Sequence, residues 1–232
     1  MSWRTVAPVV WARSIGRALG INRAIMSVLP KRAYEAAYDE GLSAMVRVGD
    51  CVWDVGANVG RYTKPFSAAV GKSGTVWAFE PSPINATILR RTCASLANVR
   101  VMELALGREN GRLSFRQGQD DLGATSRVLM DGSGPQEVDM RCGLALVEEG
   151  AVPAPNVIKI DVEGFELEVL EGLGHRLHAQ DLRAIGVEVH FGILAERGMA
   201  SAPGLIERLL REHDFSITWP DGSHLLAIRS RE

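Results

Sequence analysis

The chain has 232 residues, of which 46% are hydrophobic and 23% are charged, and its formal net charge is −2. These values are typical of one globular α/β domain with a short extension, and the near-neutral charge argues against a nucleic-acid partner. Cys51, Cys93 and Cys142 are scattered without C-x-x-C spacing, which argues against a disulfide framework or a zinc site and indicates a reducing, cytoplasmic location. No apolar run is long enough to span a bilayer.

Residues 1–46 are predicted to form an N-terminal helical extension that caps the domain, with helix breaks near Gly20 and Pro30. Basic residues interleaved with Trp and Val precede the first acid, Glu35. A basic amphipathic helix that makes peripheral contact with a membrane or a lipid-linked substrate is therefore an alternative to a plain packing helix. The segment lacks an apolar core followed by a small-residue cleavage site, so we do not interpret it as a signal peptide.

The stretch 51–60 is the centre around which the other motifs are arranged. An apolar run ends in Asp54, and Gly56 and Gly60 then open a predicted helix. A strand that turns tightly into a helix brings backbone N–H groups up against a ligand, and glycines permit that approach. An acid before a G-x-x-x-G frame would repel a pyrophosphate and attract an ammonium group. The turn therefore favours S-adenosylmethionine over NAD, with a purely structural glycine turn as the alternative.

The second predicted strand ends in Glu80-Pro81, about twenty residues after the glycine turn. A carboxylate at this spacing is placed to accept both ribose hydroxyls of an adenosyl group. The first elements alternate as strand 51–54, helix 61–70, strand 75–80, helix 83–96 and strand 99–105. This alternation predicts a parallel sheet with helices on both faces.

The alternation breaks between residues 107 and 150, which we interpret as an insertion near the ligand edge of the domain 47–232. Short strands are predicted at 113–116 and 137–141 within this insertion. The core then resumes with strand 157–161, helix 166–178, strand 183–190, helix 205–213 and strands 215–219 and 224–229. The short turn Pro220-Asp221-Gly222 forces the last two strands to be antiparallel.

Several of these motifs resemble the FkbM family of S-adenosylmethionine-dependent methyltransferases. The motifs are D-V-G-A-N-V-G at 54–60, F-E-P at 79–81, A-L-G at 105–107, I-K-I-D-V-E-G-F-E at 158–166 and E-V-H at 188–190. The resemblance runs from about residue 33 to residue 229. Two departures are Ala124-Thr125-Ser126, where the family often has two serines, and Arg61, where an uncharged residue is more usual.

The resemblance implies a Rossmann-like class I methyltransferase fold of the α/β class. Such a fold has a mostly parallel seven-stranded sheet with an antiparallel last strand and helices on both faces. It also implies O-methyl transfer to a hydroxyl of a sugar in a glycan, glycolipid or natural product. The alternatives are a lipid, peptide or small hydroxylated metabolite as acceptor, a catalytically silent cofactor-binding module, and, least favoured, an NAD-dependent oxidoreductase.

The predicted site lies at the carboxyl edge of the sheet, where ligands of open parallel sheets bind. The residues assigned to S-adenosylmethionine are Asp54, Gly56, Ala57, Asn58, Gly60, Glu80, Pro81, Ala105 and Asp161. Asp161, His190 and His224 are predicted to surround the transferred methyl group, because His224 begins a strand that should lie beside the one ending at His190. His190 is the predicted base, with Asp161 orienting it or acting as the base itself.

Two further expectations concern charge. Asp161, Glu163, His190 and His224 offer oxygen and imidazole ligands for a divalent cation, but we assign no metal ligand and expect no metal requirement. Lys159 and Glu188 are predicted to meet across neighbouring strands as a structural ion pair, because a charge deep in an apolar strand needs a partner.

Overall fold

The computed structural model of the protein describes residues 31–116, 127–129 and 136–230, and the side chains of residues 35–114 and 137–230. The predicted helices within residues 1–30 and the Ala124-Thr125-Ser126 loop lie outside the described residues. The boundary predicted between residues 46 and 47 stays a prediction.

Helices and strands alternate along most of the chain. In order they are α1 (Lys31–Ser43), β1 (Cys51–Val55), α2 (Thr63–Val70), β2 (Thr75–Phe79), α3 (Pro83–Thr92), β3 (Val99–Met102), β4 (Ala105–Gly107), β5 (Gly111–Arg116), β6 (Arg127–Leu129), β7 (Gln136–Cys142), α4 (Gly143–Glu148), β8 (Val157–Ile160), α5 (Glu166–Glu171), a 3-10 helix (Gly174–His178), β9 (Ala184–Glu188), α6 (Phe191–Glu196), α7 (Ala202–Glu212), β10 (Phe215–Thr218) and β11 (His224–Arg229).

The main sheet has seven strands in the order β3-β2-β1-β8-β9-β11-β10. The neighbouring strands β3, β2, β1, β8 and β9 pair in parallel. Strand β11 runs antiparallel to both β9 and β10. The predicted α/β fold with an antiparallel last strand is therefore confirmed. Because the carboxyl ends of β1, β2, β8 and β9 meet at one edge, the residues that follow these strands are brought together there.

Both faces of this sheet are covered, which is why its central strands are buried along their whole length and are mostly apolar. Every residue of β1 and β8 is buried. Neighbouring residues of β1 point to opposite layers: Trp53 packs in a cluster with Leu170 of α5, and Val52 packs in a second cluster with Phe66 of α2. This two-sided packing fixes the directions of the strand ends that carry the site.

The insertion forms a second sheet of four strands in the order β4-β7-β5-β6. The predicted single strand 99–105 is wrong, because β3 ends at Met102 and Ala105 begins β4, which pairs with β7. The apolar residues of this stretch do not reveal a change of sheet, since both β3 and β4 contain buried apolar residues. The predicted helix 166–178 likewise ends early, and Gly174 then adopts a φ of +50°, which an α-helix does not accommodate.

Helix α1 packs against the antiparallel end of the sheet. The Tyr38 side chain is 1% exposed, and a Cβ at Gly186 of β9 would lie 2.5 Å from its Oη atom. Glycine at this position therefore lets the helix approach the strand closely. Within the described ranges, no helix combines the length and apolar character that crossing a bilayer requires.

Candidate active site

The turn after β1 is pressed against two neighbouring strands. Gly56 has a φ of +76°, and a Cβ at this residue would lie 1.7 Å from the carbonyl oxygen of Asp161. The backbone N–H groups of Gly56 and Ala57 both donate to the Phe79 carbonyl, at 3.0 Å each. A side chain at residue 56 would therefore prevent the turn from seating between β2 and β8.

A cavity of about 580 Å³ lies beyond the carboxyl ends of the parallel strands. Most of the predicted cofactor residues line it, namely Gly56, Ala57, Asn58, Glu80, Pro81, Ala105 and Asp161. Asp54 and Gly60 are not part of the lining. Gly60 instead has a φ of +96° and lies against α3, where a Cβ would come 3.0 Å from Leu89.

Glu80 is the carboxylate at the mouth of the glycine turn. Its Oε2 atom accepts from the Asn58 backbone N–H and its Oε1 atom from the Ser82 backbone N–H, both at 2.9 Å. Burial raises the pKa of Glu80 to about 7, although the two backbone hydrogen bonds act in the opposite direction. Each carboxylate oxygen keeps a further lone pair for a hydroxyl donor. Glu80 therefore fits the ribose hydroxyls of an adenosyl group. At Gly56, the absence of a side chain lets the protein backbone approach that group.

Asp54 does not face the cavity, which corrects its assignment to the cofactor's ammonium group. The side chain is 0% exposed; its Oδ2 atom accepts from the Thr63 hydroxyl at 2.6 Å. Its Oδ1 atom lies 3.5 Å from the Lys159 ammonium. Strand β1 continues one residue beyond the predicted end, so Val55 rather than Asp54 reaches the cavity. Asp54 instead ties the start of α2 to the sheet.

The predicted ion pair between Lys159 and Glu188 is wrong. Strand register places Lys159 beside Gly186, and its Nζ atom lies 3.2 Å from Asp161 Oδ2 and 3.0 Å from the Gly56 carbonyl oxygen. Burial would lower the pKa of Lys159, but the carboxylates of Asp161 and Asp54 outweigh it and raise the pKa. The lysine thus joins the end of β1 and its glycine turn to the loop after β8 through one buried charge.

Replacing Lys159 with methionine should lower the free energy of unfolding by about 3–5 kcal/mol, because Asp54 would be left buried without its counter-charge. Urea denaturation of the purified protein measures this change. The matched control is Lys72→Met, at an exposed position, which should cost less than about 0.5 kcal/mol. Equal stabilities of the two variants would show that the buried charge has no structural role.

His190 lines the cavity and stands among the carboxylates of Asp161, Glu163 and Glu166. Its Nδ1 atom donates to Glu166 Oε1 at 2.6 Å, and its Nε2 atom lies 3.4 Å from Glu163 Oε2 and 3.7 Å from Asp161 Oδ1. Burial would lower the pKa of His190, but these carboxylates, Glu166 foremost, raise it to about 9. The ring is therefore protonated at neutral pH and donates hydrogen bonds.

The residue that orients His190 is Glu166 rather than Asp161. Glu166 is 0% exposed, and its position in the sequence predicts only that it begins a helix. It belongs to the same motif as Asp161, so the motif contains the partner but does not reveal which of its acids contacts the imidazole. That choice depends on where β9 ends relative to α5.

His224 is not at the transferred methyl group, which corrects its predicted catalytic position. The register of β11 places it beside Glu188, and it is 2% exposed and outside the cavity lining. Its Nδ1 atom donates to Asp221 Oδ2 at 2.8 Å, and its Nε2 atom lies 3.4 Å from Glu188 Oε2. Burial opposes protonation, but these two carboxylates raise the pKa of His224 to about 9. Glu188, for which the sequence predicts only a structural ion pair, lines the cavity in its place.

The four side chains considered for a divalent cation are only partly brought together. One oxygen or nitrogen atom each from Asp161, Glu163 and His190 lies within 4.8 Å of the others, whereas His224 lies behind Glu188. The expectation of no metal ligand stays a prediction.

Helix α1 contributes to the rim of the cavity, which no sequence motif indicates. Glu35, Arg61 and Tyr62 all line it. Arg61 donates to the Glu35 carboxylate, and the Tyr62 hydroxyl donates to Asp39 Oδ1 at 2.6 Å. Arg61, which departs from the usual motif, thus links α1 to the glycine turn. These contacts depend on the packing of α1 and have no local signal.

Comparisons with known proteins agree with this geometry. The family model described as "Methyltransferase FkbM domain" matches residues 54–217. The chain is 33% identical to hexuronic acid methyltransferase AglP of Haloferax volcanii, over 72% of this chain and 70% of that protein. It is 28% identical to 31-O-demethyl-FK506 methyltransferase FkbM of Streptomyces tacrolimicus, over 74% of this chain and 75% of that protein.

A solved structure shares the fold. The ribosomal protein L11 methylase of Lactobacillus delbrueckii subsp. bulgaricus superposes with a TM-score of 0.50 and 13% identity, covering 88% of this chain and 81% of that one. This likeness concerns the fold alone. The extent of the family match and the 33% identity over most of the chain decide between the cofactors considered above. The chain belongs to the FkbM methyltransferase family and is an S-adenosylmethionine-dependent methyltransferase.

Proposed function

We propose that the protein transfers a methyl group to a hydroxyl oxygen of a sugar in a glycan, glycolipid or natural product. The observation that carries this proposal is a cavity that combines two kinds of lining residues. Glu80 and the Gly56 turn are suited to the cofactor, and we call them the donor end; Asp161, Glu163, Glu188 and His190 are suited to a hydroxylated acceptor, and we call them the acceptor end. Both relatives support the acceptor class, since one is named for a hexuronic acid and the other for a natural product.

The residues of the donor end would hold S-adenosylmethionine through Glu80 on the ribose hydroxyls and through the close backbone approach at Gly56 and Ala57. When bound, this cofactor supplies a methyl group activated by its bond to a positively charged sulfur. Methyl transfer requires the acceptor oxygen in line with that bond, so placement accounts for much of the rate. Asp161 and His190 border the place where the acceptor hydroxyl must lie.

The acceptor end suits a polyol because it is rich in hydrogen-bonding groups of both kinds. Asp161, Glu163 and Glu188 present carboxylate acceptors to the cavity, and His190 presents a donor. Carboxylates match vicinal hydroxyls in geometry and charge. A lipid acyl chain would leave these charged groups unpaired, so a lipid acceptor is disfavoured unless its head group carries the hydroxyl.

We also propose a cytoplasmic location and no nucleic-acid partner, and we keep membrane contact as an alternative. A cytoplasmic location is supported by Cys51, Cys93 and Cys142, which are free thiols. The absence of a nucleic-acid partner is supported by the net charge of −2. Peripheral membrane contact through the basic segment stays an alternative, because residues 1–30 lie outside the described part of the chain.

The test uses isotopically labelled S-adenosylmethionine and a panel of acceptors. The panel contains methyl β-D-glucopyranoside, methyl β-D-glucopyranosiduronic acid, a serine peptide and a long-chain alcohol. We expect label on a sugar hydroxyl, identified by mass spectrometry and located by NMR. Parallel mass spectrometry of glycans and lipids from cells with and without the gene should show the loss of one methyl group. Label on the peptide or the alcohol alone would contradict the sugar assignment.

A further inference from the structure

The loop that follows β8 holds one residue in an unusual backbone conformation. Glu163 has a φ of +50°, in the left-handed region that residues with side chains rarely adopt. Such a conformation persists only where the surroundings impose it, and these places concentrate at functional sites. Glu163 lines the cavity, and its side chain is 30% exposed.

A buried network beneath the loop imposes this conformation. The Gly164 backbone N–H donates to Glu166 Oε1 at 2.9 Å, and the same oxygen accepts from His190 Nδ1 at 2.6 Å. Arg197 donates to the Gly164 carbonyl, and its guanidinium lies 4.1 Å from the centroid of the Phe165 ring. One fully buried carboxylate oxygen therefore positions both the Glu163 loop and the His190 ring.

The three carboxylates that border the acceptor end differ in their partners. Asp161 lies 3.2 Å from the Lys159 ammonium, and Glu188 lies 3.4 Å from His224. Within residues 35–114 and 137–230, the ion pair of Glu163 is with His190, whose Nε2 atom lies 3.4 Å from its Oε2 atom. Of these three carboxylates, Glu163 is therefore the one whose ion pair is with His190 rather than with Lys159 or His224.

We propose that Glu163 is the general base of the reaction, and that Glu166 is the positioning residue that fixes Glu163 and His190 relative to each other. The inference rests on the proposed O-methyl transfer. In this step the O–H bond of the acceptor breaks and its proton passes to a Glu163 carboxylate oxygen. The electron pair of the acceptor oxygen forms the new O–CH₃ bond, and the pair of the broken S–CH₃ bond stays on sulfur.

The protonation states agree with these roles. Burial raises the pKa of Glu163 to about 7; the charge of His190 opposes this, whereas the nearby carboxylates reinforce it. A general base is most effective when its pKa lies near the working pH. His190, with its pKa of about 9, would need a higher pH to act as the base. The groups that face this pair are Asp161, Glu166, Glu188 and, through Asp161, Lys159.

The pH dependence of kcat/KM for the accepting sugar separates the two bases, provided that S-adenosylmethionine is saturating at every pH so that the titration of Glu80 does not contribute. If Glu163 is the base and His190 acts as a cation, activity rises through about pH 7 and falls through about pH 9. If His190 is the base, activity rises only through about pH 9 and shows no fall there. A single rise at high pH would therefore overturn the proposal.

Glu163→Gln keeps the shape of the side chain and removes the base. We expect kcat to fall about 100-fold or more and the limb near pH 7 to disappear, with unchanged affinity for S-adenosylhomocysteine by calorimetry and unchanged Tm. Glu109→Gln is the matched control at an exposed site and should retain the wild-type rate. A wild-type rate in Glu163→Gln would sink the proposal, whereas a wild-type protein that methylates no sugar would sink the proposed function instead.

The role of Glu166 is tested by Glu166→Gln and a measurement that does not need the acceptor. NMR titration of the His190 imidazole, with S-adenosylhomocysteine bound, should show a pKa that is lower in this variant than in the wild type. The fall of the rate near pH 9 should move in the same direction.

The Glu163 carboxyl should titrate near pH 7 in the wild type; titration in the ordinary range of a glutamate would contradict its role. All assays contain EDTA, and activity that is lost in EDTA and restored by Mg²⁺ would also overturn the proposal.

Discussion

Replacing Gly56 with alanine is expected to abolish measurable binding of S-adenosylhomocysteine. The new Cβ would lie 1.7 Å from the Asp161 carbonyl oxygen. Because this oxygen belongs to the backbone, it cannot move aside by a side-chain rotation. The φ of +76° adds a strain of about 1–2 kcal/mol. The turn must therefore open, and the free energy of unfolding should fall by about 3 kcal/mol or more. Calorimetry measures the binding and urea denaturation the stability.

The matched control for this variant is Gly150→Ala. Gly150 has a φ of +70°, similar to that of Gly56, but a Cβ there meets no atom within 4 Å. This substitution should cost only the backbone strain, about 1 kcal/mol, and leave binding unchanged. If Gly56→Ala binds as tightly as Gly150→Ala, the close contact between the turn and the loop after β8 does not build the cofactor site.

Glu80→Gln is expected to weaken the binding of S-adenosylhomocysteine about 100-fold or more. Two charge-assisted hydrogen bonds to the ribose are lost, each worth about 1.5–3 kcal/mol. The new amide also turns an N–H group toward the backbone N–H of Asn58 or Ser82, both of which donate to Glu80 in the wild type. Calorimetric titration of both proteins measures the difference in affinity.

The same carboxylate predicts a pH dependence of wild-type binding. Burial raises the pKa of Glu80 to about 7, so the ionised form that accepts the ribose hydroxyls dominates above that pH. Affinity should fall as the pH drops through about 7, approaching tenfold per pH unit, and this slope should vanish in Glu80→Gln. Glu103→Gln, an exposed acid paired with Arg90, should behave as the wild type. A slope that survives in Glu80→Gln would assign the ribose to another group.

The sequence correctly placed Gly56 and Glu80 beside one cavity at the edge of the sheet, because the constraints there are local. A tight turn between a strand and a helix needs glycine where φ is positive, and an acid at the end of the next strand lies beside it in any parallel pair of strands. Gly56 and Glu80 follow from these rules alone. Asp161 and His190 were placed at the same edge by the same argument, since each follows a parallel strand.

The acceptor end shows where this reasoning fails. The pairs His190–Glu166, Glu188–His224 and Lys159–Asp54 each join residues from different elements. A shift of register by one or two residues would exchange the partners, and sequence spacing does not fix register. The exclusion of His224 from the cavity has the same origin, because β11 begins beside Glu188 rather than beside His190.

By itself, the sequence determined the α/β fold, the antiparallel last strand, the glycine turn and the edge of the sheet at which the site lies. Apolar periodicity, backbone conformation and the short link between β10 and β11 are properties of neighbouring residues, and they leave few alternatives. Only the tertiary structure decided which acid pairs with which cation, and therefore which side chains are protonated in the cavity. A pKa depends on burial and on charges a few ångströms away in space, and these are set by strand register and helix packing.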